Sequence, residues 1–266
     1  LGIVQGITEF LPISSSGHLV ITPYLLGWSI NKEYIFTFDV LVQMGTLIAV
    51  IIYFWKYLWK IFGSVIKGAI EKKPLGTQEA KIGWLIVLAT IPAVIGGLFL
   101  EDLVESAFHS VQVTAVFLLV TALLLSVSER LSNQTDKMEN LSAIDAFIIG
   151  CFQILAIFPG LSRSGSTIAG GILRNLKREE AAKFSFLMSI PVMLGAGVMS
   201  INDLLEVPNL AEFLPVLLVG FITSGVVGFI SIHWLLKFLN KNKLGLFSVY
   251  CVVVSIVTLA ITFIRG

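Results

Sequence analysis

Two of the eight apolar stretches in this 266-residue chain are broken at their middles. Residues 1–27 carry "LPISSSGH" and residues 143–173 carry "FPGLSRSGST", each inside sequence otherwise apolar enough for a membrane. In hydrocarbon, every backbone N–H and C=O must find a partner within the protein. An interrupted helix is tolerated there only where protein or a water-filled cavity surrounds it. Each broken stretch is therefore expected to be a re-entrant helix–turn–helix hairpin enclosed by other helices.

The enclosing helices are expected at about 35–55, 82–100, 111–127, 184–200, 213–236 and 246–264, each near the length that crosses a bilayer. The chain is 56% hydrophobic and only 13% charged, with a mean hydropathy of +0.92. Soluble domains carry about 25% charged residues, so a single soluble core is excluded. The fold class is an all-α integral membrane protein, a polytopic helical bundle forming one transmembrane domain over 1–266. A net charge of +1 and the lack of a basic tail give no reason to expect a nucleic-acid partner. Cys151 and Cys251 sit in apolar stretches and read as buried free thiols.

Charge orients the chain. Residues 56–81 hold six Lys and two Glu, 174–183 hold four Lys/Arg and two Glu, and 237–243 hold three Lys. Segments 101–110 and 201–212 each hold three acids and no Lys or Arg. The positive-inside rule makes the first group cytoplasmic and the second external. The first hairpin then lies on the outer side of span 35–55, the second hangs from the cytoplasmic side, and the two enter from opposite faces. Tyr53, Trp55, Tyr57 and Trp59 read as an interfacial belt, and the lysines after them as topology signals with secondary contact to anionic lipid.

The hairpins also resemble each other. A shift of 148 positions aligns Gly2 with Gly150, Gln5 with Gln153, Phe10 with Phe158, Ser14 with Ser162, Ser16 with Ser164 and Gly17 with Gly165. Similar elements of opposite insertion mark inverted-topology repeats, here about 1–127 with hairpin 1–27 and about 143–266 with hairpin 143–173. A ligand site belongs near the interface of such repeats.

Gln5 and Glu9 are four apart and share a helix face. Pro12 ends that half-helix. Ser14, Ser15, Ser16 and Gly17 form the turn, with His18 in the next helix's first turn. The second turn offers Ser162, Arg163, Ser164, Gly165, Ser166 and Thr167, also at a helix start. Free N–H groups and the helix dipole there favour an anion, hydroxyls add donors, and the Arg163 guanidinium matches phosphate oxygens in pairs. An intramembrane Glu, Arg and His together mark a functional site. Asp145, just after Ser142, reads as a helix-start charge. His18, His109 and His233 are far apart in sequence, and no nucleotide-binding loop, dinucleotide fingerprint or zinc motif is present.

"QGITEFLPISSSGH" (5–18) and "PGLSRSGST" (159–167) resemble the paired signatures of the BacA-type undecaprenyl-diphosphate phosphatases, and "FSFLMSIP" (184–191) and "GFITS" (220–224) extend the likeness along the chain. The resemblance implies a bacterial inner-membrane enzyme that removes the terminal phosphate of a polyprenyl diphosphate. The product is the monophosphate carrier for peptidoglycan synthesis, and the activity confers bacitracin resistance. It further implies that Glu9, Ser15, His18 and Arg163 are catalytic and that Ser162, Ser164 and Thr167 bind phosphate, and Ser14, Ser16 and Gly165 of the same two turns are expected to join them in binding it. A divalent cation, Mg²⁺ or Ca²⁺, would be held by Glu9 and Gln5. Gln5 stands where the family has Glu or Gln, so Glu9 carries more of that role. Ser15, His18 or a water could attack phosphorus, with Glu9 and His18 as base and acid. The alternative function is a polyprenyl-phosphate flippase built on the same anion site. Small residues such as Gly220, Ser224, Gly225 and Gly228 permit close helix contact, within the chain or in a homodimer.

Overall fold

A computed structural model describes residues 1–28, 32–108, 110–199 and 210–265. His109 and most of the acidic segment 201–212 fall outside these residues. Among the described residues the chain is helical, with one isolated bridge between Asp136 and Leu176.

Both broken stretches are hairpins. The first pairs α1 (Gly2–Thr8) with α2 (Ser15–Leu26). The second pairs α8 (Ala143–Leu155) with α9 (Arg163–Leu173). The long apolar helices are α3 (Lys32–Tyr53), α5 (Gln78–Phe99), α7 (Val111–Leu131), α10 (Arg178–Met199), α11 (Leu210–Leu239) and α12 (Gly245–Arg265). Each matches an expected span, usually with an extra turn where polar residues continue the helix. Two short helices were not anticipated. These are α4 (Trp55–Ile70), bent 77° away from α3, and α6 (Glu101–Phe108).

Helix starts follow their capping chemistry. Thr77, Ser110 and Ser142 each accept a backbone N–H three residues on, and Asp145 completes a capping box with Ser142. Asp145 also pairs with Arg174 Nε at 2.6 Å, tying the start of α8 to the end of α9.

The hairpins open at opposite ends of α12, which is about 30 Å long at 1.5 Å per residue. At its C-terminus, Arg265 donates to the Tyr24 and Leu25 carbonyls at the end of α2, at 2.6 and 3.3 Å. At its other end, the Leu244 N–H donates to Glu129 Oε1 at 3.1 Å, and Glu129 also holds Arg178, just past α9. Packing is paired in the same sense. α1 lies on α11 as α8 lies on α5, α11 packs on α3 as α5 packs on α10, and α7 packs on α12.

Small residues let these helices touch. The α11 seam residues Gly220, Ser224, Gly225 and Gly228 meet Phe38, Val42, Gly45, Thr46 and Phe10 of the same chain, and Ser224 Oγ donates to the Val42 carbonyl at 2.7 Å. This seam is thus used within the chain. The core around the hairpins is apolar, with Phe10 fully buried edge-on against Phe186 at 5.2 Å between ring centres. Cys151 and Cys251 are free thiols.

Candidate active site where the two hairpin turns meet

The turns touch directly. Gly17 lies against Gly160, and Ser164 Oγ donates to the Leu11 carbonyl across the hairpins at 3.0 Å. Gly160 has φ +94°, and a Cβ there would strike the Thr114 carbonyl, so the second turn requires glycine at that position. Thr121 of α7 staples the turn from outside. Its hydroxyl donates to the Gly160 carbonyl at 2.9 Å and accepts the Ser162 N–H at 3.0 Å. In the first turn, Ser14 has φ 72°, a left-handed conformation that costs a non-glycine residue on the order of 1–3 kcal/mol. That cost is offset by its N-cap role, since its side chain accepts the Gly17 N–H at 3.2 Å.

Glu9 sits at the junction and is 4% exposed. Its Oε1 accepts Arg163 Nη2 at 2.6 Å. Its Oε2 accepts Ser15 Oγ at 2.6 Å and Gln5 Nε2 at 2.8 Å. One carboxylate thus gathers three other sequence-derived residues, from both hairpins. α2 and α9 both begin here, and the first N–H groups of a helix have no partner within it. Two helix N-termini therefore place partial positive charge near Glu9.

Two buried atoms at this centre lack a hydrogen-bond partner: Gln5 Oε1, an acceptor, and Arg163 Nη1, a donor. An unpaired polar atom in a buried site costs about 1–3 kcal/mol, so both are poised for something the chain does not supply. An anion satisfies Arg163 Nη1. A cation or a donor satisfies Gln5 Oε1.

Other expected residues are held differently. His18 bonds to other partners than Glu9. Its Nδ1 lies 2.7 Å from the Ser14 carbonyl, which can only accept, so Nδ1 carries the proton. Its Nε2 is then free to accept the Tyr250 hydroxyl of α12, 2.9 Å away, and the two rings stack with centres 5.6 Å apart. Ser14 and Ser16 hydroxyls are 3.4 Å apart. Ser162 caps α9 by accepting the Gly165 N–H at 3.0 Å. The Thr167 hydroxyl is taken by the Arg163 carbonyl at 2.7 Å and Ser185 at 2.6 Å. In this arrangement the hydroxyls of Ser162, Ser164 and Thr167 are spent on holding the second turn together, while Arg163 Nη1 stays unpaired.

Sequence reasoning did not single out Tyr250, Thr121 or Ser185. All three come from continuous spans, and nothing local in the sequence links them to the turns. Among the described residues, no cluster of three or more His, Cys, Asp or Glu side chains forms a metal cage. A cation would find only the unpaired Gln5 Oε1 and Glu9 oxygens that already accept from Arg163, Ser15 and Gln5, so it would have to keep most of its ligands elsewhere.

The fold and site define a polytopic membrane protein in which two opposed re-entrant hairpins close on a buried Glu–Ser–Arg centre. The chain belongs to the bacitracin resistance protein BacA family, whose model matches residues 1–257. It is similar to proteins named undecaprenyl-diphosphatase from Methanosphaera stadtmanae (42% identical, over 98% of this chain and 96% of that one). Similar proteins of the same name come from Chlorobium limicola (44%, over 94% and 90%) and Caldicellulosiruptor bescii (40%, over 100% and 97%).

Proposed function

We propose that the protein hydrolyses undecaprenyl diphosphate to undecaprenyl phosphate and inorganic phosphate. The observation that carries this reading is the contact between Ser15 Oγ and Glu9 Oε2 at 2.6 Å, a hydroxyl nucleophile already on its base. Family membership and the names of the relatives agree with it.

The diphosphate head enters the junction while its tail lies in hydrocarbon between spans. Arg163 Nη1 and the N–H groups opening α2 and α9 bind the terminal phosphate and take up charge that builds on it. Ser15 Oγ attacks the terminal phosphorus as Glu9 takes its proton. The bond from phosphorus to the bridging oxygen breaks, and undecaprenyl phosphate leaves. Water then attacks phosphoserine 15, Glu9 returns its proton to Ser15 Oγ, and inorganic phosphate leaves with both water hydrogens.

The leaving group is itself a phosphate monoester, whose second pKa is about 6, so it departs as an anion with little need of an acid. That agrees with a His18 ring occupied by Ser14 and Tyr250. In this account His18 positions the first turn. Ser14, Ser16, Ser162, Ser164, Gly165 and Thr167 shape the phosphate cradle. A Mg²⁺ or Ca²⁺ ion held by Glu9 and Gln5 would neutralise diphosphate charge when bound. The two halves, 1–127 and 143–266, are inverted repeats in this reading. Their paired packing and the opposed hairpin mouths support it. The protein would reside in a bacterial plasma membrane, with the first hairpin open to the outer side.

The test is phosphate release from undecaprenyl diphosphate by the purified protein in detergent, with Mg²⁺ or Ca²⁺ and with EDTA. Release that Glu9→Ala and Arg163→Ala abolish while the fold persists is the expected result. A folded, lipid-binding wild type that releases none overturns the proposal.

A further inference from the structure

α4 turns away from the membrane-spanning α3 by 77° at Phe54. Spanning helices tilt by about 20° from the membrane normal, so a helix at this angle runs close to the membrane plane. Its sixteen residues divide into three faces. Ile61 and Gly68 are buried, and Ile61 with Val65 lies against Gly83 of α5. A second stripe, Trp55, Trp59, Phe62, Ile66 and Ile70, recurs at helical spacing and is exposed along its whole length, up to 66% at Trp59 and 77% at Ile70. Trp55 stacks on Trp59 at 5.9 Å. A third stripe, Lys56, Lys60 and Lys67, lies about 100° further round and is exposed too, and exposed Lys72 and Lys73 follow the helix.

We infer that α4 is an interfacial helix that binds an anionic phospholipid surface. A stripe of two Trp, Phe and two Ile has no place in water. Protein covers only the opposite face, and the helix lies along the bilayer rather than across it. Apolar side chains at the depth of the acyl boundary with lysines beside them at headgroup level are the pattern of an in-plane helix on acidic lipid. From Trp55 to Lys73 the chain carries five Lys against one Glu, which sets the sign of the headgroup. The lysines beyond the elbow thus take on a binding role in addition to setting topology.

The test uses the full chain with Trp28, Trp84 and Trp234 changed to Phe, so that Trp55 and Trp59 report alone. It is reconstituted in phosphatidylcholine vesicles containing a minor fraction of brominated lipid. Near-interface bromines are expected to quench more than bromines deep in the acyl chain. Brominated phosphatidylglycerol is expected to quench more than brominated phosphatidylcholine at equal fraction. That headgroup preference should fall with salt, persist in millimolar inorganic phosphate, and vanish in Lys56→Gln/Lys60→Gln/Lys67→Gln. Equal quenching by the two headgroups overturns the proposal, as does strongest quenching from deep bromines. Protection from every brominated lipid at high protein-to-lipid ratio would instead give the stripe to a second copy of the chain, and also overturns it. Circular dichroism of each variant separates loss of preference from loss of fold.

Discussion

Arg163 Nη2 lies 2.6 Å from Glu9 Oε1 and joins two hairpins 154 residues apart in sequence. Glu9 is buried and Arg163 largely so, so each charge depends on the other. Its geometry also leaves Arg163 Nη1 buried and unpaired. One side chain thus joins the two hairpins and keeps a further donor unspent.

Removing either partner leaves a buried charge without compensation, which costs about 3–5 kcal/mol. Arg163→Ala and Glu9→Ala should each lower the thermal midpoint in detergent, and the double variant should lose clearly less than the sum. Additive losses would mean the pair is not coupled. Arg163→Lys should keep much of the stability and lose most turnover, because a lysine cannot hold Glu9 and a phosphate oxygen as a guanidinium fork does.

Tyr250→Phe removes the hydroxyl beside His18 Nε2 but keeps the ring stack. One hydrogen bond of about 1 kcal/mol is at stake. With His18 as a positioning residue, kcat should fall less than tenfold, and His18→Asn should retain part of the activity that His18→Ala loses. A loss with Tyr250→Phe as large as that of Glu9→Gln would put Tyr250 and His18 in the chemistry.

Metal dependence should appear only with substrate. Glu9 and Gln5 would supply only two oxygens, and among the described residues no group of three or more His, Cys, Asp or Glu could hold a cation. Titration calorimetry with Mg²⁺ or Ca²⁺ alone should show no tight binding, while EDTA should slow turnover. Gln5→Glu should lower the cation concentration needed for half-maximal rate. An unchanged requirement would remove residue 5 from cation binding.

Gly160→Ala should destabilise the protein by about 1–3 kcal/mol through its left-handed backbone alone, and further through the Thr114 carbonyl. Thermal unfolding of this variant beside Gly63→Ala, where nothing lies near the added methyl, isolates the effect.

The spans were legible because each must bury its backbone in an apolar run of bilayer length. The hairpins were legible because Pro12 and Pro159 stand beside clustered Ser and Gly near the middle of their runs, whereas Pro92, Pro191 and Pro215, without such clusters, leave α5, α10 and α11 continuous. That Glu9 and Arg163 belong to one site was legible from the cost of charge in a membrane, but their direct pairing, and the separate partners of His18, were not. What sequence concealed was long-range or mixed in pattern. Tyr250 reaches His18 across 232 positions from inside an ordinary apolar span. α4 carries lysines on one face and tryptophans on another, so its stretch read as a charged loop with an aromatic belt. The hydroxyls of Ser164 and Thr167 looked like phosphate ligands by neighbourhood, yet they bond to the Leu11 carbonyl and to Ser185. Only the packed structure reveals where they point.

The most direct measurement is rapid-quench trapping with undecaprenyl diphosphate labelled at its terminal phosphorus, run on wild type and Ser15→Ala. The account predicts transient label on Ser15 in wild type, and no label with turnover lost at least a hundredfold in the variant. Full turnover by Ser15→Ala with no label on either protein would contradict it.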